Sequence, residues 1–413
     1  QAGFDVLAAV ELDPIHACTH EYNFPFWTVL CRNIVDITGE EIRKLSPIGD
    51  RDIDVVFGGP PCQGFSLMGK RHPDDPRNSL IFHFLRLVLE LQPKFFVMEN
   101  VRGMTVGRQR QFLEKILSEF KEHNYRVVEN YQILNAANYA IPQNRHRLFL
   151  LGCRQDLLLP SYPQPLTTVP SKGGDSSLPT INDRELNLLP TPTVGDAIAD
   201  LPEVNNYPEL EVRDWVFAES SKPSEYVNQL HNPSSKAVVS PDYSYPRIYD
   251  SRLLTCSRRT KHSQETIARF VATSPGKIER ISHFYRLDLN GLCSTLRAGT
   301  ARNRGAFTSP RPIHPVTPRC ITVREAARLH SYPDWFRFHG TKWHGFRQIG
   351  NSVPPLLAKA VAREIINCLG IEPSKPTQKY LLGQEQLLQF TMYRAAQYYQ
   401  VEENAIAPRC RNK

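Results

Sequence analysis

Cys62 lies in the stretch PPCQGFS (60–66), after a glycine pair and two prolines that fix the backbone at the end of an apolar run. An arbitrary free cysteine is more often a small buried hydrophobe. This one is followed by a polar stretch, which implies exposure, and Arg145 or Arg147 nearby would lower its thiol pKa, as a nucleophile requires. Glu99 directly follows the apolar FFVM (95–98). A carboxyl there can be desolvated and held partly protonated, ready to share a proton with a ring nitrogen. A helix cap or a salt bridge to an arginine is the competing assignment. Asn100, beside it, can hydrogen-bond the neighbouring loop and fix it. Glu11 and Asp13 follow VLAAVEL, and the run Gln143-Asn144-Arg145-His146-Arg147 leads into another apolar stretch.

These residues need a scaffold that brings the ends of apolar runs together. Through about residue 155 the runs VLAAVEL (6–12), DVVFGG (54–59), FFVMEN (95–100) and RLFLLGC (147–153) alternate with helical patterns. Continuous apolar runs mark strands buried on both faces, as in a parallel sheet covered by helices. The predicted fold class is α/β, a doubly wound and mostly parallel sheet, which binds its ligands beyond the carboxyl ends of its strands. Residues 159–193 are rich in Pro, Ser and Gly and read as a linker or surface insertion, closed by a short helix over TVGDAIADL (193–201). Residues 203–343 lack that alternation and are expected to form a second, smaller irregular domain. A helix over PPLLAKAVAREIINCL (354–369) has Pro in its first turn and apolar positions suited to packing on the sheet. The tail from 372 to 413 is expected to carry one helix over LLGQEQLLQFTMYRAAQYYQ before a basic end. The opening QAGFDVLAAVELD reads as the end of a helix turning through Gly3 into a strand.

At 413 residues the chain suits two domains. Lys and Arg outnumber Asp and Glu by 50 to 42, an excess that favours a polyanionic partner without proving one. The nine cysteines form no CxxC pair, which argues against a zinc site of the usual spacing, and a disulfide framework is not expected at this size. No leader pattern and no apolar run of membrane-spanning length is visible, so the expectation is a cytoplasmic, nucleoid-associated protein without a metal.

PPCQGFS, ENV (99–101), QNRHR (143–147) and RQIGNSVPP (347–355) occur in the order and approximate spacing of the DNA (cytosine-5) methyltransferase family, and the sequence resembles that family over roughly residues 1–371. The resemblance implies an S-adenosylmethionine-dependent methyltransferase fold whose catalytic domain covers 1–202 and 344–371, with a target recognition domain over 203–343. It implies double-stranded DNA as substrate, S-adenosylmethionine as cofactor and S-adenosylhomocysteine as product. Cys62 would add to carbon 6 of a flipped-out cytosine, and Glu99 would bind ring nitrogen 3 and the exocyclic amine. Arg147 would contact the cytosine oxygen and Arg145 would help align the nucleophile. Glu11 matches the acid that binds the ribose hydroxyls, and Asp36 the acid that accepts from the adenine amine. Pro61, Leu80, Asn351 and Val353 match other cofactor-site positions. Residues 62–78 resemble the loop that closes over extruded DNA, with Gln63, Ser66, Lys70 and Arg71 as DNA contacts. STLRAGTARNRG (294–305) falls in the motif that scaffolds the recognition domain, and Arg297, Arg302 and Arg304 can reach the DNA backbone or guanine edges, or form a solvated basic face.

The family's Phe-x-Gly-x-Gly loop, which binds the methionine end of the cofactor, is not in this sequence. A truncated chain, a split enzyme and a degenerate relative would each explain that, and the otherwise complete catalytic set favours truncation. A methyltransferase of restriction and modification, acting as a monomer beside a cognate restriction endonuclease, is the leading expectation. The tRNA-methylating branch is disfavoured by the long Pro-rich insertion, and an inactive DNA-binding subunit by the presence of Cys62, Glu99 and Arg147.

Overall fold

The computed structural model describes residues 1–61, 80–107, 109–169, 188–231, 241–299 and 311–403. Cys62, Gln63, Ser66, Lys70, Arg71, Arg302 and Arg304 lie outside the described residues. The first half alternates as expected: β1 (Ala8–Glu11), α1 (Pro14–Asn23), β2 (Thr28–Cys31), α2 (Gly39–Lys44), β3 (Val55–Gly58), α3 (Leu80–Leu91), β4 (Phe95–Val101), α4 (Gln109–Glu122), β5 (Tyr125–Val127), β6 (Gln132–Asn135), β7 (Gln143–Asn144) and β8 (His146–Arg154). β1 pairs with β2 and β3 with β4, both in parallel. The long β8 lies antiparallel to β4, from Phe95↔Cys153 to Val101↔Arg147, and β5 and β6 pair antiparallel to β8. The sheet is therefore mixed. A strand buried on both faces reads as an apolar run whichever way it points, so direction was not written in RLFLLGC.

Alternate side chains of β4 feed two cores, as strand geometry dictates. Phe96 and Met98 face α3 and α4, among Phe84, Val88, Leu113, Ile116 and Phe120. Phe95 and Val97 face the other way, into a cluster that includes Val194, Ile198, Leu357, Val361 and Ile365. Helices thus cover both faces of the sheet. The β1–β2 pair joins it through an apolar cluster of Leu7, Ala8, Val10, Leu30, Ile53, Val56, Leu87 and Leu91.

Helix ends follow their signals. Asp13 caps α1 by accepting from the Ile15 amide at 3.0 Å, with Pro14 in the first position. Thr193 and Asp196 form a capping box at α5 (Val194–Ile198), and the helix predicted at 354–369 is found over Pro355–Leu369. The helical end expected before Gly3 is not present: residues 1–7 are irregular, and Gly3 adopts φ +112° where an added Cβ would lie 2.5 Å from Pro373.

Residues 203–343 contain short helices, α6 (Glu225–His231), α7 (Gln264–Ala272) and α8 (Val323–Leu329), with two-residue strands between them. Buried guanidinium groups do much of the joining. Arg319 binds Glu203 and Glu325, and Arg328 binds Asp200 and Asp334. Tyr226, Val227, Cys256 and Phe336 of this region share one core with Val97 and Leu357. Helix α9 (Lys342–Asn351) and then α10 (Pro355–Leu369) return the chain to the sheet.

The tail is broken where one helix was expected. Tyr380–Leu381 pairs with Arg247–Ile248, a 3₁₀ turn spans Glu385–Gln389, and α11 covers Met392–Tyr399. Gly383 forces the break: its amide donates to the Tyr22 carbonyl at 2.7 Å, and a Cβ there would sit 2.9 Å from the Tyr22 Cα. Leu387, Leu388 and Ala395 then cover Ile15, Cys18 and Tyr22 of α1. Among the described residues no helix is long and apolar enough to cross a membrane.

Candidate active site

β4 does not stop at Met98 but runs on to Val101, so Glu99 and Asn100 sit inside the strand, opposite Phe149 and Leu148 of β8. That register places Arg147 beside Glu99: the Arg147 Nε lies 2.8 Å from Glu99 Oε1, with the two side chains 13% and 15% exposed. Burial pushes the Glu99 carboxyl above the usual carboxylate range, and the opposing pull of Arg147 and Arg145 is smaller. Glu99 thus has the arginine partner, and burial shifts it toward the protonated form.

The turn leading to Cys62 is shaped around this carboxylate. A Cβ on Gly59 would lie 2.9 Å from Glu99 Oε2, and one on Gly58 2.9 Å from the Phe84 ring. A larger residue at 59 would displace the acid, and one at 58 would press β3 against the Phe84 ring of α3. Asn100 donates through Nδ2 to the Pro60 carbonyl at 3.3 Å, while its Oδ1 accepts from the Val101 amide at 2.8 Å. Asn100 is 3% exposed, so it ties the Pro60-Pro61 turn rigidly to the strand that carries Glu99.

Arg145 is fully buried and acts as a clamp. Its Nη1 donates to the Leu296 carbonyl at 2.9 Å, and its Nη2 to the Gly350 and Ser352 carbonyls, each at 2.8 Å. Burial, with help from Arg147, holds its guanidinium well below the usual arginine range. Its Nε has no partner among the described residues. The neighbouring Gln143 accepts from the Leu296 amide at 3.2 Å and meets His330 Nδ1 at 2.9 Å, and His330 Nε2 meets the Ser352 carbonyl at 3.2 Å. Because Gln143 offers an N–H and Ser352 a carbonyl, His330 must accept at Nδ1 and donate at Nε2, which only the neutral ring can do. Burial first and Arg145 second hold it well below the usual histidine range. The close crossing depends on Gly350, where a Cβ would lie 2.1 Å from the Ala298 amide nitrogen. Sequence reasoning missed His330, Ser352 and Gly350; the glycine inside RQIGNSVPP was the signal for a close backbone approach.

The remaining candidates occupy two further strand ends and the α9 terminus. Glu11 ends β1, is half-buried, accepts from the Asp13 amide at 2.9 Å, and has its Oε2 3.9 Å from His16. Asp36 lies exposed beyond β2. Pro61 is exposed, Leu80 opens α3 half-buried, Asn351 ends α9 exposed, and Val353 packs against the main core. Carboxylates just past two adjacent parallel strands suit hydroxyl and amine donors such as a ribose diol and an adenine amine. Arg297 is exposed, next to the Leu296 carbonyl that Arg145 holds. Among the described residues no group of His, Cys, Asp and Glu side chains is arranged to hold a metal ion.

A family model described as C-5 cytosine-specific DNA methylase matches residues 1–367. Type II methyltransferase M.XorII of Xanthomonas oryzae pv. oryzae is 51% identical over 411 residues, covering 100% of this chain and 91% of that protein. Type II methyltransferase M.DdeI of Desulfomicrobium norvegicum is 32% identical, covering 88% and 84%. A crystal structure from E. coli, described as a prophage-encoded DNA modification methyltransferase, superposes with a TM-score of 0.67 at 32% identity, covering 90% of this chain and 94% of that one. Together with the Glu99–Arg147 pair set beside Gly59, these similarities lead to one conclusion: the chain belongs to the C-5 cytosine-specific DNA methylases.

Proposed function

We propose that this protein methylates carbon 5 of an extruded cytosine in double-stranded DNA, using S-adenosylmethionine, by covalent catalysis through Cys62. The observation that carries the reading is the buried Glu99, raised toward protonation yet fixed by Arg147 at 2.8 Å, next to the turn that leads to the cysteine. Glu99 shares its proton with ring nitrogen 3 as negative charge develops there, so the Cys62 thiolate can form a bond to carbon 6. Arg147 keeps the acid oriented and helps to hold the cytosine oxygen. The cofactor supplies an electrophilic methyl group on a sulfonium. Carbon 5 would take up that methyl with release of the thioether product, S-adenosylhomocysteine, and then lose its own proton to water; re-formation of the double bond to carbon 6 expels the Cys62 thiolate and returns the ring-nitrogen proton to Glu99.

Glu11, Asp36, Pro61, Leu80, Asn351 and Val353 form the cofactor side in this reading. Arg145 joins the two sides by holding Leu296, Gly350 and Ser352 rather than by touching the base. Residues 1–202 with 344–371 make the catalytic domain, 203–343 the recognition domain, and 372–413 a C-terminal tail. Similarity to type II methyltransferases supports a role in restriction and modification, with the enzyme working as a monomer on nucleoid DNA in the cytoplasm beside a cognate endonuclease.

The test is DNA containing 5-fluorocytosine, whose carbon 5 has no proton to lose. The full protein should form a denaturation-resistant adduct with it in the presence of cofactor, and Cys62→Ser should form none. Undiminished methyl transfer by Cys62→Ser would overturn the mechanism.

A further inference from the structure

We infer that residues 274–286, SPGKIERISHFYR, form a rigid finger that enters a groove of the target DNA and reads base pairs through Arg280 and Ile281. The proposal rests on the DNA-methylating reading above and deepens it.

The segment is a hairpin built to hold its own tip. Its two arms are hydrogen-bonded, Gly276 amide to Arg286 carbonyl and Arg286 amide to Lys277 carbonyl, each 2.8 Å. Ile278 bridges Tyr285 in antiparallel register, and the Glu279 amide donates to the Phe284 carbonyl at 2.8 Å. At the tip the Glu279 side chain turns inward and is 4% exposed. Its carboxylate accepts from the Ile281 amide at 3.0 Å, the Ser282 amide at 2.6 Å and the Ser282 hydroxyl at 2.5 Å, with Arg269 3.5 Å away. His283 takes a left-handed φ of 57° to close the turn.

The base is fixed as firmly. Arg286 donates to the carbonyls of Phe270, Thr273, Pro315 and Val316, at 3.0, 2.8, 3.3 and 3.1 Å. Beneath it Phe270 and Ile313 are fully buried, with Cys320 and Phe284 packed around them.

What this framework displays is unusual for a solvated loop. Ile278 and Ile281 are 60% and 67% exposed, and the neighbouring Lys277, Arg280 and His283 are exposed as well. The only acid in the segment is the one turned inward, so every charge the tip presents to solvent is positive. Ordered cations flanking β-branched apolar side chains match a nucleic-acid groove, where lysine meets phosphates, arginine pairs with guanine edges and aliphatic groups contact thymine methyls. The finger also lies in reach of the chemistry. From Tyr285 the chain continues to Cys293, which pairs with Gln143 two residues from Arg145. From His283 to Cys293 an extended chain spans at most about 35 Å, roughly one turn of duplex.

The experiment measures equilibrium binding of the full protein to two duplexes, one carrying its own target site and one unrelated. The target is identified by mapping methylated cytosines in DNA from a host that expresses the enzyme. Arg280→Ala and Ile281→Ala should each weaken target binding at least about tenfold while changing unrelated-duplex binding by no more than about twofold. Both should also add sites differing at one base pair to the methylation map. Lys277→Ala should weaken binding to both duplexes alike and reduce the slope of log affinity against log salt by about one. All three side chains are exposed, so folding is expected to be intact. Wild-type target affinity and an unchanged map in Arg280→Ala and Ile281→Ala would overturn the proposal. So would variants that lose self-association or a protein partner and keep DNA binding, which would make this a protein interface. The binding arm needs no methyl transfer, so a protein that binds the duplex but transfers nothing would count against the catalytic reading while the affinity ratios still decide the finger.

Discussion

Two buried arginine–carboxylate clusters in this molecule are tuned in opposite directions. Around Glu99 burial outweighs the arginines: the Glu99 carboxyl is raised and the Arg145 guanidinium lowered, so neither ion is fully compensated. Around Arg319 and Arg328 the partners outweigh burial. Burial alone would raise Glu325, but Arg319 and its hydrogen bonds pull its pKa down to about 2, and Asp334 is held far below the carboxylate range mainly by Arg328. The hydrogen bonds each carboxylate accepts explain the contrast: Glu325 takes both Nη groups of Arg319 and the Thr322 amide, and Asp334 takes Nε and Nη2 of Arg328. Arg328 sits between two carboxylates, Asp200 at 3.1 Å and Asp334 at 2.5 Å, and Arg319 likewise between Glu203 and Glu325. Glu99 instead is one acid facing two guanidiniums, one of which is committed to backbone carbonyls. The same chemical groups are therefore held ionised in one place and drawn toward the protonated form in the other.

The sharpest way to break that comparison is to remove a charge from each side. Glu99→Gln should slow methyl transfer roughly a hundred- to ten-thousandfold, read by single-turnover rates with saturating cofactor. A near-normal rate would mean that the raised carboxyl takes no part in proton sharing. Arg328→Met should leave chemistry intact in the molecules that fold but destabilise them by about 3–5 kcal/mol, because Asp200 and Asp334 are left buried without their cation. Denaturant titration gives that number directly. A loss under about 1 kcal/mol would class the cluster with ordinary surface pairs.

pH separates the two clusters by sign. Glu325 has a folded pKa of about 2 against an unfolded value near 4.5, so its contribution is present above pH 4.5 and is lost as pH falls toward 2, in all about 3 kcal/mol. Glu99 is raised, so native protein binds its proton more tightly than unfolded chain does, and this acid opposes stability at neutral pH and ceases to do so as pH falls through its folded pKa. The acid-side decline in stability should therefore be shallower in Glu325→Gln and steeper in Glu99→Gln than in the parent. A smaller effect is expected at His330, whose neutral ring bridges Gln143 and Ser352. Replacement by Ala should cost about 1–3 kcal/mol and raise the cofactor KM, whereas Gln, which also offers one acceptor and one donor, should restore most of both.

The parts legible in the sequence were those with a local signature. Apolar runs announced the strands, and the polar residues at their ends pointed to Glu99, which lies inside β4 and not after it. Strand direction was hidden, since burial on both faces leaves the same pattern in RLFLLGC as in FFVMEN. The clamp role of Arg145 was equally hidden: its partners are carbonyls of Leu296, Gly350 and Ser352, and a backbone acceptor leaves no mark on residue identity. In 203–343 the arginines that hold the region together look, as letters, like any solvated basic face. Whether Arg319 faces inward is settled by Glu203, 116 positions away.

The strap formed by residues 382–399 across α1 has a consequence for how the protein is made. Ile15, Cys18 and Tyr22 are covered by Leu387, Leu388 and Ala395, so α1 is finished by residues that leave the ribosome about 370 positions later. At about 5–20 residues per second, that face of α1 stays bare for roughly 20 to 70 s of synthesis. The nascent chain must carry an apolar helix face through the folding of the intervening residues, which makes α1 a natural holding site for a chaperone until the strap has been synthesised.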